Sequence, residues 1–542
     1  LKNFYLKPKL FDTLKGYGSA QLTKDIIAGI IVAIIALPLS IALALASGVE
    51  PACGVYTAVA AGFMVSFLGG SRVQIAGPTA AFATIVAGIV ATQGMDGLII
   101  ATLLAGVLLI LMGIFKLGAL IKFIPTTITV GFTSGIAVTI LVGQIKDFLG
   151  LKYAEGVKPI ETLEKLEANW EAIATFSLPA LVIGLISLAI LIIYPKFEKK
   201  IPPSLIAVIV GALLVKFIPW FDQGVYTIGE LYTIPSGLPP FTLGGIDLSL
   251  ERIIALLPDA ATIALLAAIE SLLSCVVADT MVNDKHNSNA ELVAQGVGNV
   301  FSVAFGGIPA TGAIARTAAN AKNGGRTPVA GMVHAVVLLL VLLVLMPYAG
   351  LIPMPTIAAI LFIVAYNMSE WRKFKKIVRS SPRSDTLVMV VTFALTVIFD
   401  LVVAIAAGLI LTAVLFLRRM SRETRLEQWM GDPEKGGLPA GVEVYDIKGE
   451  LFFGASDKIS GLTFDETDRC MILRMGSVSS LDATALNALE NLARKAQSAG
   501  VRFCVTHVNP QPMKVLKKSG FDKLIGEENI FEHIGQILEQ YK

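Results

Sequence analysis

Apolar runs follow one another almost without a break from about Asp25 to Arg419. A helix needs about 20 apolar residues to cross the ~30 Å hydrocarbon layer of a bilayer. Full or near-full runs lie near residues 26–46, 54–68, 98–114, 124–143, 177–193, 203–218, 253–278, 290–305, 328–346, 355–367, 385–399 and 401–417. Two shorter pieces, near 78–91 and 310–321, begin among glycine and proline. Composition points the same way, with 55% hydrophobic and 16% charged residues where soluble domains carry about 25% charge. A single dry core for 542 residues is excluded, because cores stop growing beyond about 300 residues. Four scattered cysteines rule out a disulfide scaffold, and the hydrophobicity rules out disorder. A net charge of +3 without a basic patch among aromatics speaks against nucleic acid as a partner. The first run is too long for a signal-peptide core, so it counts as the first span.

Fourteen segments result, and the charges between them test the number. Lysine and arginine favour cytoplasmic loops. With the N-terminal segment 1–24 inside, the inner ends carry Arg72, Lys116, Lys122, Lys196, Lys199, Lys200, Lys285, Lys322 and Arg326. A dense group from Arg372 to Arg383 and another from Arg418 to Arg425 complete the inner side. The outer loop from Phe217 to Glu251 has no lysine or arginine. A miscount by one would invert this pattern, so both termini are expected in the cytoplasm of a multi-pass protein of the cell (plasma or inner) membrane.

Seven segments fall in residues 25–219 and seven in 250–420. An odd number per repeat turns the second upside down, which is the inverted-repeat plan of secondary transporters. The short segments stand third in each half. One follows Gln74-Ile75-Ala76-Gly77-Pro78-Thr79-Ala80, the other Ile308-Pro309-Ala310-Thr311-Gly312-Ala313-Ile314-Ala315-Arg316. A helix beginning inside the membrane exposes its first N–H groups and its positive dipole end. Pro78 suits a first helical turn, and Ala80, Gly312 and Ala313 let a ligand approach the backbone. Two such ends facing each other make an anion site. Thr79 and Thr311 belong to the same stretches, and Arg316 adds a positive charge.

Glu270 lies twelve residues beyond Pro258, about 18 Å along a helix, in an otherwise apolar span. Ser274 sits one turn later on the same face. An intramembrane carboxylate is costly and marks an ion or proton pathway. The four histidines show no metal-ligand spacing, and no catalytic motif stands in usable context. No metal, cofactor or enzymatic activity is therefore expected.

A linker (421–441) with Gly431, Pro433, Gly436, Gly437, Pro439 and Gly441 precedes a soluble stretch, 442–542. There, strand-like Val442–Ile447, Leu451–Phe453, Cys470–Arg474 and Phe503–Val508 alternate with helices, which implies a small α/β domain.

These motifs resemble those of the sulfate permease (SulP, solute carrier 26) family. The resemblance rests on Pro51 to Tyr56 and on to Gly70-Ser71-Arg72, on Gly77-Pro78-Thr79, on Ile269-Glu270-Ser271-Leu272-Leu273, and above all on Lys285 to Asn299. The C-terminal stretch resembles a STAS domain. Gly131–Ile136, Gln144–Leu151 and Asn367–Glu370 look closest to the bacterial C4-dicarboxylate carriers of the family. The resemblance implies a mobile core (segments 1–4 and 8–11) moving against a gate (5–7 and 12–14), with substrate between segments 1, 3, 8 and 10. Leu39 and Leu43 would line the pocket, and Glu270 matches the carboxylate used for cation coupling. Bicarbonate-transporting members carry Asp there beside a Thr where this chain has Ser274, which favours H+ over Na+. Asp482 is followed by Ala483 rather than a phosphorylatable Ser, so homodimer assembly or a cytoplasmic protein partner is the expected STAS role. The expected function is elevator-type, proton-coupled uptake of a C4-dicarboxylate. The alternatives are sulfate or bicarbonate transport, with or without sodium, an anion channel, or a STAS-linked sensor.

Overall fold

The structure, a computed structural model, describes residues 6–119, 125–157, 159–198, 201–222, 224–234, 237–244, 246–399, 401–431 and 437–541. Lys122, Lys199, Lys200, Pro433, Gly436 and the extreme ends of the N-terminal segment and STAS stretch lie outside these residues. Two compact units result, Leu1–Leu409 and Ile410–Lys542.

The first unit is helical. Its first half holds α1 (Ser19–Ala46), α2 (Pro51–Leu68), α3 (Ala80–Ile114), α4 (Thr126–Leu149), α5 (Leu178–Ile193) and α6 (Pro203–Phe217). The second holds α7 (Leu250–Val282), α8 (Ser288–Ala304), α9 (Ile314–Lys322), α10 (Val329–Ala349), α11 (Met354–Met368), the short α12 (Trp371–Ser380) and α13 (Arg383–Ile398). α14 (Leu401–Glu423) leads into the second unit. Eight helices among the described residues are long and apolar enough to cross a bilayer.

α3 contains both the third and fourth predicted segments. Gly94 in its middle has φ +70° and ψ −178°, a conformation open to glycine and costly for other residues. The chain breaks there into two rods, so the described residues hold fourteen segments, with α12, the ten-residue helix Thr162–Glu171 and a few single-turn helices besides. Close helix packing depends on small residues. A Cβ on Gly296 of α8 would stand 2.5 Å from the Gly106 carbonyl of α3. Large apolar side chains point outward, among them Ile192, Leu213 and Val344 at 50%, 49% and 66% exposure. Such a surface is stable against hydrocarbon and costly against water.

Two short strands lie inside this helical body. β1 (Ala76–Gly77) and β2 (Thr311–Gly312) pair antiparallel, Ala76 opposite Gly312 and Gly77 opposite Thr311. They precede α3 and α9, the third segments of the two halves.

The second unit carries a sheet of β3 (Arg425–Gln428), β4 (Val442–Lys448), β5 (Cys470–Arg474), β6 (Arg502–Thr506) and β7 (Ile530–Phe531) in that order. β3 is antiparallel to β4 and the other pairs are parallel. Both faces are buried. Met471, Leu473, Phe503 and Val505 pack with Leu489 and Leu492 of α15 (Ala483–Ser498), while Val444, Ile472 and Ile537 fill the other side. Strands covered on both faces read as continuous apolar runs, which made β5 and β6 visible in the sequence. Asp482 caps α15 by accepting the Ala485 N–H at 2.9 Å.

Two expectations change here. The stretch read as linker contains β3, whose residues are almost all exposed and so show no alternation; its Glu427 pairs with Lys448 across the edge of the sheet. Leu451–Phe453 is no strand: Leu451 makes an isolated bridge to Leu481, and a 3-10 turn starts at Phe453.

Candidate anion site

Pairing of β1 with β2 brings the starts of α3 and α9 together. Before α3, Thr79 is the N-cap residue with φ −128° and ψ 157°. Pro78 therefore stands ahead of the cap, not in the first helical turn as expected. The chain is still extended there because Gly77 is held in the strand pair, and proline favours extended geometry in its predecessor. The Thr79 hydroxyl makes no capping bond to its own helix. It donates instead to Oε2 of Glu270 at 3.0 Å; the Phe82 N–H already donates to the Thr79 carbonyl at 3.2 Å, so the open N–H groups of this end are those of Ala80 and Ala81.

The start of α9 is built differently. Ala313 is its N-cap, and its own N–H donates to the Ile75 carbonyl at 2.8 Å. The open donors of this end therefore lie in the first turn of α9, beyond Gly312 and Ala313. Arg316 projects from that turn and is 1% exposed. Its Nη1 lies 2.5 Å from where a Cβ on Gly77 would stand, so a side chain there would displace the guanidinium. Nε, Nη1 and Nη2 of Arg316 all lack a hydrogen-bond partner. An uncompensated buried cation costs several kcal/mol, and an anion with two oxygens is the group that relieves it.

α7 ties both ends to one rod. Glu270 is half-buried and bonded to Thr79. Ser274, fully buried, donates to Gln74 Oε1 at 2.8 Å and approaches Thr317 Oγ1 at 3.3 Å. Gln74 donates to the Ser271 carbonyl at 3.1 Å, and Thr311 to the Ala267 carbonyl at 3.0 Å. Thr317 accepts the Ile75 N–H at 3.0 Å. Ser274 thus shares the helix of Glu270 but serves the crossing of the two strands. Leu43 is buried in α1, whereas Leu39, one turn earlier, packs with Phe148, Leu191 and Ala358 of α4, α5 and α11.

Other residues that the sequence left unassigned hold this crossing. Asn299 of α8 clamps Ala310 twice, accepting its N–H at 2.8 Å and donating to its carbonyl at 2.9 Å. Thr57 of α2 accepts the Ile308 N–H at 2.7 Å. Glu291 accepts the Gly70 N–H at 2.9 Å and the Gln295 amide at 3.0 Å. Glu291, Gln295 and Asn299 stand four residues apart, one stripe of α8, and that spacing was the available signal. His334 of α10 is fully buried with both ring nitrogens unpartnered; nothing in its sequence context marks it. A separate cavity of about 520 Å³, lined by Glu50, Tyr56, Asp96 and Gly306, carries two carboxylates and no cation, the wrong sign for an anion. Among the described residues no cluster of three or more metal-ligating side chains occurs.

A helical membrane body with two broken helices meeting beside a buried, unpartnered guanidinium fits a membrane transporter of small anions. The sequence comparisons place it: residues 22–392 match the model of the sulfate permease family, residues 439–537 match the STAS domain, and the chain belongs to that family. It is 42% identical to the protein named Putative sulfate transporter YvdB of Bacillus subtilis (strain 168), over 96% of this chain and 98% of that one. It is 33% identical to the bicarbonate transporter BicA of Picosynechococcus sp., over 87% of this chain and 86% of that one. The solved transmembrane domain of a cyanobacterial BicA matches with a TM-score of 0.62 at 30% identity, covering 73% of this chain and 98% of that one. The murine solute carrier 26 member A9 anion transporter, in the inward-facing state, has the same fold with a TM-score of 0.88 at 18% identity, covering 98% and 94%. The protein is thus a multi-pass membrane anion transporter with a STAS domain, not an enzyme.

Proposed function

We propose that this chain is an elevator-type secondary transporter that carries a small oxyanion between the starts of α3 and α9, coupled to protons through Glu270. The observation that supports it most is Arg316, buried with three unpartnered nitrogens beside Gly77. A guanidinium fork binds two oxygens of one anion, and the open N–H groups of both helices add donors. Relatives named for sulfate and bicarbonate support an inorganic oxyanion as substrate. A C4-dicarboxylate is the second reading, supported by the stretches 131–136, 144–151 and 367–370. Both classes offer a pair of oxygens, and backbone N–H groups read charge better than identity.

Proton coupling follows from sign. Glu270, bonded to Thr79, lies beside the start of α3. As a carboxylate it opposes a bound anion there; with a proton it does not. Anion and proton then favour each other's binding, which is the requirement for symport. Sodium needs several oxygen ligands, and Ser274 is already engaged with Gln74, which supports the proton instead. The proposal includes cytoplasmic termini in the cell membrane, a homodimer, and a STAS domain that assembles the dimer or docks a soluble partner.

The test is uptake into liposomes holding the full-length protein, with labelled sulfate, bicarbonate and succinate under imposed pH or sodium gradients. Accumulation of one of them driven by an inward proton gradient is the expected result. Passive equilibration of every anion makes the protein a channel, and no flux at all favours a sensor.

A further inference from the structure

α12 (Trp371–Ser380) joins α11 to α13, and none of its residues is buried. At about 100° per residue, Trp371, Phe374, Ile377 and Val378 fall on one side. Arg372, Lys375, Lys376 and Arg379 fall on the other, with Lys373 at the boundary, paired to Glu370 at 2.7 Å. Among the described residues the other four cations have no carboxylate partner. The apolar side is half covered. Phe374 meets Phe393 of α13 edge-on with ring centroids 5.6 Å apart, and the Trp371 indole donates to the Tyr366 hydroxyl at 3.3 Å. Trp371 and Val378 nevertheless remain 44% and 47% exposed.

We infer that α12 lies in the headgroup layer of the membrane and binds the phosphates of anionic lipids, so that the transport body reads the charge of its bilayer. Three observations select a bilayer over a protein as the occupant. Two membrane segments flank α12 with only a few residues between, so it cannot leave the interface. The adjoining α13 also exposes large apolar side chains, Leu387 and Val390, at 48% and 42% exposure. A tryptophan and aliphatic face opposite an uncompensated Lys/Arg face is the chemistry of a helix resting on anionic lipid. The neighbourhood is well placed to pass the signal on: Thr386 of α13 meets the Ile377 carbonyl at 3.4 Å, and Ser134 of α4 donates to the Ser369 carbonyl at 2.6 Å. The inference rests on the membrane reading of the chain and is independent of the transported anion.

The test places the full-length protein in nanodiscs of phosphatidylcholine with phosphatidylglycerol, one or the other lipid brominated. The quenching of Trp371 is read as the difference from a Trp371→Phe variant. Brominated phosphatidylglycerol is expected to quench Trp371 more than brominated phosphatidylcholine, and added salt to narrow the gap. Neutralising Lys375, Lys376 and Arg379 to Gln should erase the preference, each cation being worth about fivefold in affinity for anionic lipid; Arg372 is kept, because its guanidinium lies over the Trp371 ring, 5.4 Å from the centroid. The charge-preserving exchange K375R/K376R/R379K should keep it, which separates charge from folding. Equal quenching by the two lipids in the unmodified protein overturns the inference. Absence of Trp371 quenching by either lipid overturns it too, and leaves a protein as the occupant of that face.

Discussion

The two broken helices hold equivalent places in the two halves, yet their chemistry is opposed. The start of α3 is uncharged, and its cap hydroxyl is spent on Glu270. The start of α9 has a cap N–H already bound to Ile75 and carries a guanidinium with no partner at all. The contrast is local. Asp25, another fully buried charge of this unit, accepts from Tyr17 at 2.9 Å, Gln21 at 3.0 Å, the Arg326 N–H at 2.9 Å and Thr327 at 2.6 Å. Asp25, like Glu291, is thus a buried charge whose oxygens are satisfied by the surrounding fold. Under the proposed function the difference is a division of labour: α9 would supply the charge that takes the anion, and α3 the carboxylate contact that would couple it to a cation.

The largest expected effect comes from breaking the α9 side. Arg316→Gln should weaken anion binding by about 3 kcal/mol or more, a loss of at least a hundredfold in a direct binding titration. Arg316→Lys restores the charge without the fork and should recover only part of it. Next is the clamp beneath both ends. Asn299→Ala removes two buried hydrogen bonds to Ala310 and should lower stability by about 2 kcal/mol, seen as a reduced melting temperature. On the α3 side, Glu270→Gln should leave anion binding in place while abolishing the response of uptake to a pH gradient. Unchanged pH-driven accumulation removes Glu270 from coupling. The smallest effect belongs to Thr79→Val, which deletes one hydroxyl contact to Glu270 worth about 1 kcal/mol and should shift the pH profile of uptake without stopping it.

Much of the fold is legible in the sequence. Repeating apolar runs, interrupted twice among Gly and Pro, located both broken helices, and the asymmetry of Arg316 and Glu270 stood out as charges inside apolar spans. The antiparallel β1–β2 pair was not legible, because two residues per strand carry no period; it is held by side chains more than 200 positions away, as in the Ile75–Thr317 bond. That pair also explains why Pro78 stands outside its helix. β3 escaped notice for the opposite reason: its side chains are almost all exposed and leave no hydrophobic mark. The Glu291–Gln295–Asn299 stripe was readable from spacing, but polar residues in a membrane segment look like gaps until their partners are seen.

The most direct measurement is the melting temperature of purified full-length protein with and without sulfate or succinate, compared between the unmodified chain and Arg316→Met. An uncompensated buried guanidinium destabilises the empty protein, and the bound anion relieves it. The account predicts that Arg316→Met melts at a higher temperature than the unmodified chain when no anion is present, and that its melting temperature no longer responds to anion. A variant that melts lower without anion, or that keeps the anion-induced rise, contradicts the central role given to Arg316.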